Sequence, residues 1–301
     1  MQALASYIMR GRVPAALVTV GGALLAMLFM PLSAPFLWVS GAAVGLVALR
    51  HGAHEALLVT VIATAVAGAI AWPLTGGPQL AIALALAVWL PVWLAALVLY
   101  QTVSLPSALQ MAALVAALFV AAVHLLVPDP AAWWSEVLHN LQGQLGEDAA
   151  PLFEHADEAA RLMTGMLAAV MLINIGASLL LARWWQARLY NPGGFREEFH
   201  GLRLGQPMAL LGLGLIAVGA LMPGWLGSFA LDLLWVLGLL FLVQGVAVVH
   251  GLAGARGLHV GWLVGLYAVL LFTFPMGAVV LALLGVGDTW LNLRALVASK
   301  A

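Results

Sequence analysis

The sequence predicts an all-α, polytopic transmembrane helix bundle of eight or nine spans, folded as one integral membrane domain over residues 1–301. Three observations predict it. Only 8% of the residues are charged and 64% are hydrophobic, whereas a soluble domain carries about 25% charged residues. Apolar runs of helix-spanning length recur along the whole chain, separated by proline and glycine. The arginines gather in some of those breaks and avoid others, as loops on two sides of a bilayer do.

The runs lie at approximately 13–30, 36–50, 56–72, 80–100, 107–127, 161–183, 208–222, 230–250 and 262–285. About 20 apolar residues, and roughly 17 at the least, are needed to cross the hydrocarbon as a helix. Runs two and seven have 15 residues each. They suit tilted partners or half-helices buried against protein, which leaves the count at eight or nine. Breaks fall at Pro31 and Pro35, at Pro73 to Pro78, at Pro106, Pro128 and Pro130, at Pro192 to Gly194 and at Pro223-Gly224. The first run is read as a retained span and not a cleaved leader, because Pro35 would follow directly on the candidate cleavage site.

Arg10 and Arg12 precede run one, Arg50 follows run two, Arg183, Arg188, Arg196 and Arg203 follow run six, and Arg256 follows run eight. Nine spans with a cytoplasmic N-terminus put all of these inside. Arg294 and Lys300 then fall outside, whereas eight spans would bring them in. Residues 128–160 hold seven acids and no Lys or Arg. This stretch reads as an acidic insert outside, made of two short amphipathic helices on the membrane surface. Tryptophans at run ends, among them Trp72, Trp133, Trp184, Trp185, Trp225 and Trp290, suggest an interfacial belt. Ten of the eleven basic residues are arginine, and with the Ala, Leu and Gly bias this points to a GC-rich bacterial genome. The expected location is the bacterial inner membrane and the expected partner is the lipid bilayer.

Ala113, Ala117 and Ala121 form one ridge at four-residue spacing, and Gly41/Gly45 and Gly261/Gly265 make two small-xxx-small pairs. Such ridges let helix backbones approach closely. Net charge is −1, so no nucleic acid is expected as a partner. No cysteine is present, which excludes disulfides, thiolate catalysis and thiolate metal sites.

Polar residues inside the runs are few. Asn174, Asp232 and Gln244 are the candidate ligand or interhelix contacts, since a polar group in hydrocarbon needs a partner or water. Asp232 and Gln244 are 12 residues apart, about 120° off one helix face. His124 and His250, near run ends, read as interfacial. "RHGAHE" at 50–55 lacks the spacing of a helical zinc motif and a third ligand, so no metal is assigned. No cofactor and no catalytic constellation is recognised, and the chain is read as a non-enzyme.

The most polar loop is "NPGGFREEFHGLRLG", residues 191–205. Phe195, Phe199 and Leu202 recur at i, i+4 and i+7, which predicts a short amphipathic helix. Phe195, Arg196, Phe199, His200 and Arg203 are its candidate docking residues, with the phenylalanines seated on membrane or bundle and the arginines directed to headgroups or a cytoplasmic protein partner. Glu197 and Glu198 read as solvated.

The Pro-rich turn at 31–35, "LRHG" at 49–52, "FHGLRLG" at 199–205 and "LGVGDTWLNLR" at 284–294 resemble the YybS-like family of uncharacterised bacterial polytopic membrane proteins. The resemblance is diffuse and runs from about residue 10 to 295. It implies a distant similarity to the substrate-binding membrane subunits of energy-coupling-factor vitamin transporters, which set about six helices around an outward-facing pocket. This chain has about three more spans and no polar pocket set in its first six, so no vitamin substrate carries over. The expected function is binding or translocation of a small molecule within the bundle. The alternative is a non-catalytic membrane scaffold for an envelope or assembly process, docking through 184–206.

Overall fold

A computed structural model describes residues 1–298, and among them every regular element is helical. The chain runs through α1 (Gln2–Ile8), α2 (Arg12–Leu28), α3 (Ser33–His51), α4 (Ala53–Thr75), α5 (Gln79–Leu84), α6 (Leu90–Thr102) and α7 (Leu105–Leu126). It continues through α8 (Pro130–Leu145), α9 (Ala156–Ala160), α10 (Met163–Tyr190), α11 (Gly194–His200), α12 (Gln206–Leu221) and α13 (Trp225–Ala255). It closes with α14 (Gly261–Phe272), α15 (Met276–Leu291) and α16 (Leu293–Ala298). A π-turn over Ala85–Trp89 joins α5 to α6 in one rod.

Six segments are long and apolar enough to cross a membrane: Met30–His51, Ala53–Pro73, Gln79–Thr102, Leu105–Leu126, Met163–Tyr190 and Trp225–Ala255. These are the helices of a multi-pass membrane protein. Four more apolar helices, α2, α12, α14 and α15, are shorter. Six of the expected eight or nine spans therefore reach spanning length as single helices, and the other apolar helices are shorter. Run nine is not one helix: it breaks at Thr273–Pro275 into α14 and α15. Pro275 has no N–H to continue the ladder. The 12 residues of α14 reach only about 18 Å, short of the ~30 Å hydrocarbon.

The insert also differs from expectation. Pro130–Leu145 is helical, capped by the Asp129 carboxylate accepting from the Ala132 N–H at 3.0 Å. The second expected helix is instead a 3-10 segment over Glu147–Phe153, containing Pro151, followed by the single turn and a half of α9.

Small residues set the helix spacings. Side chains added at Gly41 and Gly45 of α3 would meet Ser178 and Ala182 of α10. The tightest crossing joins α13 to α15. There a Cβ on Gly245 would collide with the Leu281 carbonyl, and one on Gly285 with the Phe241 carbonyl. On α7 the buried ridge is Ala108, Ala112, Ala116 and Val120, one helical row from the expected alanines. Gly261 and Gly265 face no neighbouring helix. Trp89, fully buried, donates its indole N–H to Ser40 Oγ at 2.9 Å, and Ser40 Oγ donates to the Thr19 carbonyl at 2.5 Å. That chain of bonds ties the π-turn to α3 and α2. Trp185, expected in the interfacial belt, is fully buried.

The bundle has two unlike ends. One carries the insert and the α12–α13 turn. The other carries α1, α11 and most of the arginines. Arg294 donates to the carbonyls of His200 (2.5 Å) and Leu202 (2.9 Å). Arg294 therefore sits at the same end as 191–205, and not opposite it as nine spans required; Lys300 lies outside the described residues.

Candidate functional site

At the insert end, α7, α10 and α13 converge under the segments 128–131 and 160–162 around a cavity of about 620 Å³. The last turn of α7 supplies His124, the first turn of α10 supplies Thr164 and Gly165, and the first turns of α13 supply Trp225, Phe229, Asp232 and Trp235. His124 and Asp232 are 5% and 6% exposed. The Asp232 carboxylate meets His124 Nε2 at 2.7 Å through one oxygen and accepts from the Gly165 N–H at 3.0 Å through the other. Gly165 is required for that approach, because a Cβ there would strike Trp235 and crowd Asp232. Trp225 donates to the His124 carbonyl at 3.1 Å and stacks on Phe229, whose ring meets the imidazole edge-on. Trp134 of the insert donates to Thr164 Oγ1 at 2.9 Å, so the insert is tied directly to the cavity wall.

The imidazole is thus held by aromatic walls and by a carboxylate, yet its Nδ1 is buried without a partner. A buried ring nitrogen without a bond is costly. A water or a polar ligand group beside the ring satisfies it. A His–carboxylate pair inside a membrane protein is a typical proton or ligand station. His124 and Asp232 are both buried within the protein at the insert end.

The other two candidate contacts separate. Gln244 is fully buried. It accepts from the Leu204 N–H at 2.7 Å and donates to the Gly285 carbonyl at 2.6 Å. It joins α13 to the loop and to α15. Asn174 was expected to bond another helix or line a pocket. Instead it donates to the Val170 carbonyl of its own helix at 3.0 Å, and its Oδ1 has no partner.

At the arginine-rich end, α11 forms as the i, i+4 pattern predicts. Phe195 stacks on Phe199, Phe199 meets His250 edge-on, and Leu202 is fully buried. The apolar face is therefore spent largely inside the protein. Glu198 is corrected from solvated to paired: it takes both Nε and Nη2 of the buried Arg183, the first at 2.9 Å. Arg203 donates to the carbonyls of Asp288 (3.0 Å) and Thr289 (3.4 Å). Asp288, fully buried, accepts from Arg294 Nη2 at 2.6 Å and from the Leu293 N–H at 3.0 Å. Burial first, then the charges of Arg196, His250 and Arg294, hold His200 below the ordinary histidine range.

Sequence reasoning missed His124 as a partner, Gly165, Glu198, Asp288 and Arg294. The one available signal was Asp288 itself, a lone acid within a turn of the end of an apolar helix. Comparison with protein-family models, with curated proteins and with solved structures gives no match.

Proposed function

We propose that this chain is an integral inner-membrane protein that binds or translocates a small molecule within its bundle, and that the molecule enters through the cavity at the insert end. The observation that carries the reading is the buried His124–Asp232 pair with an unpartnered imidazole nitrogen at a cavity of about 620 Å³. That size falls within the range of small-molecule sites. The indoles of Trp225 and Trp235 suit an organic body, while Asp129, Arg161 and Thr164 offer polar contacts. The pair places one hydrogen-bonding side chain from α7 and one from α13 at the same wall of the cavity. The arginine distribution supports a cytoplasmic N-terminus and an outward-facing insert. The scaffold alternative has less support, because Phe199 and Leu202 are engaged inside the protein.

The test is a thermal-shift screen of small organic molecules against the purified full-length protein. A stabilising compound is expected whose effect disappears in both His124→Gln and Asp232→Asn. A compound that stabilises wild type and both variants equally would place binding elsewhere and sink the reading.

A further inference from the structure

We propose that the arginine-rich end holds an anionic phospholipid in a cavity of about 500 Å³ between α10, α11, α13 and α14. Three observations carry it. The first is charge. Arg188 and Arg196 line this cavity, no aspartate or glutamate does, and neither arginine has a carboxylate partner among the described residues. Arg12, Arg183 and Arg294, by contrast, are each matched to a carboxylate, while Arg188 lies over the Trp184 ring at 5.7 Å, a contact that uses none of its N–H donors. A partly enclosed site with two unmatched guanidiniums calls for an anion, and a guanidinium fork fits phosphate oxygens.

The second is polarity along the cavity. Leu180 and Trp184 form one wall, and Tyr267 of α14 forms another. The neighbouring α14 side chains Val264 and Leu271 are 64% and 75% exposed on the apolar flank of the bundle. One side of the cavity is thus continuous with the surface that acyl chains cover, and the other is cationic. The third is donor placement. His200 stands beside the arginines, and His250 shares a hydrogen bond with Tyr267 at 3.0 Å, so hydrogen-bonding groups sit where the chain meets the headgroup. A second cavity, of about 640 Å³, shares Gly193, Arg196 and His200; it is also lined by Glu197 and Arg294, so it has room and polar partners for a headgroup's hydroxyls beyond the phosphate. A free phosphate would use the cationic part and leave the aromatic wall empty. A phospholipid uses both.

The full-length protein in maltoside detergent is titrated with dioleoyl-phosphatidylglycerol, with dioleoyl-phosphatidylcholine and with inorganic phosphate, reading the melting temperature and, by native mass spectrometry, the lipid retained. Phosphatidylglycerol is expected to stabilise and to be retained, and the other two are not. Arg188→Gln with Arg196→Gln should weaken phosphatidylglycerol binding roughly tenfold or more. Arg10→Gln with Arg256→Gln, which removes equal charge from the same end, should leave it unchanged. Equal stabilisation by phosphatidylcholine overturns the proposal, as does equal stabilisation by inorganic phosphate, which makes the site a free-anion site. Equal loss in the control pair reduces it to diffuse surface attraction and also overturns it. If the double variant does not fold, Arg196→Gln alone is titrated, and undiminished phosphatidylglycerol binding has the same consequence.

Discussion

Asp288 and Asp232 are both buried carboxylates on apolar helices, one at each end of the bundle, and their surroundings differ. Asp288 is saturated: Arg294, the Leu293 N–H and the nearby Arg203 close around it, and the same arginines bond the carbonyls of 200, 202, 288 and 289. Nothing is left for a ligand to satisfy. Asp232 has a histidine and one backbone N–H, and its partner histidine keeps a nitrogen free beside a cavity. A fully satisfied buried charge acts as a latch. One whose partner keeps an unused hydrogen-bonding atom is where a bound group can add a contact.

The comparison is broken most directly at the latch. Asp288→Ala leaves the mostly buried Arg294 with two carbonyl acceptors and no carboxylate, and breaking such a pair costs about 3–5 kcal/mol. The variant should melt far below wild type in detergent, and a change under about 1 kcal/mol would show that the network is decorative. Next comes the crossing that brings the latch into place. Gly285→Val pushes a side chain into the Phe241 carbonyl, and overpacking of this kind costs about 1–3 kcal/mol or more. Chemical unfolding of the variant measures it, and wild-type stability would mean that α15 is free to shift away from α13.

Glu198 and Glu197 sharpen the contrast within one loop. Glu198→Gln weakens a charge-assisted pair with buried Arg183 and should cost about 1.5–3 kcal/mol. Glu197→Gln should stay within about 0.5 kcal/mol. Indistinguishable melting curves for the two would refute the pairing. At the other end, Asp232→Asn keeps shape and most bonding, so its stability should change by less than about 1.5 kcal/mol, while the ligand-induced shift vanishes. A large loss of stability with ligand binding intact would make Asp232 a second latch.

The smallest effect is on pH. His200 has its folded pKa below the unfolded value, near 6.5. The unfolded chain then takes up its proton more readily. Stability is unaffected well above pH 6.5 and falls as the pH drops through the unfolded value. His200→Asn should flatten the acid side of a plot of melting temperature against pH, and an unchanged slope would assign that acid loss to other groups.

Some of this was legible in the sequence and some was not. The apolar runs marked nearly every long helix, since hydrocarbon solvent leaves the backbone no alternative to internal hydrogen bonds. The loop helix at 194–200 followed from the spacing of Phe195 and Phe199. Ranking Asp232 and Gln244 followed from the cost of a polar group in an apolar run. Asn174 was ranked by the same argument and bonds its own helix, because burial cost alone does not say which partner a side chain reaches.

Composition and periodicity therefore determined that this is a helical membrane protein, roughly where its helices lie, and which polar residues need an account. Tertiary structure alone decided that His124 faces Asp232 across 108 residues, that Gly165 opens the space for their contact, that Arg294 returns to the loop end, and that Glu198 is paired. The physical reason is range. Burial preference and helix periodicity act through a residue's own neighbours in sequence, whereas a hydrogen bond or ion pair is set by which helices cross. In this chain the crossings are fixed by glycine and alanine contacts such as Gly45 with Ala182 and Gly245 with Leu281. In a sequence rich in both residues, those positions look like any other.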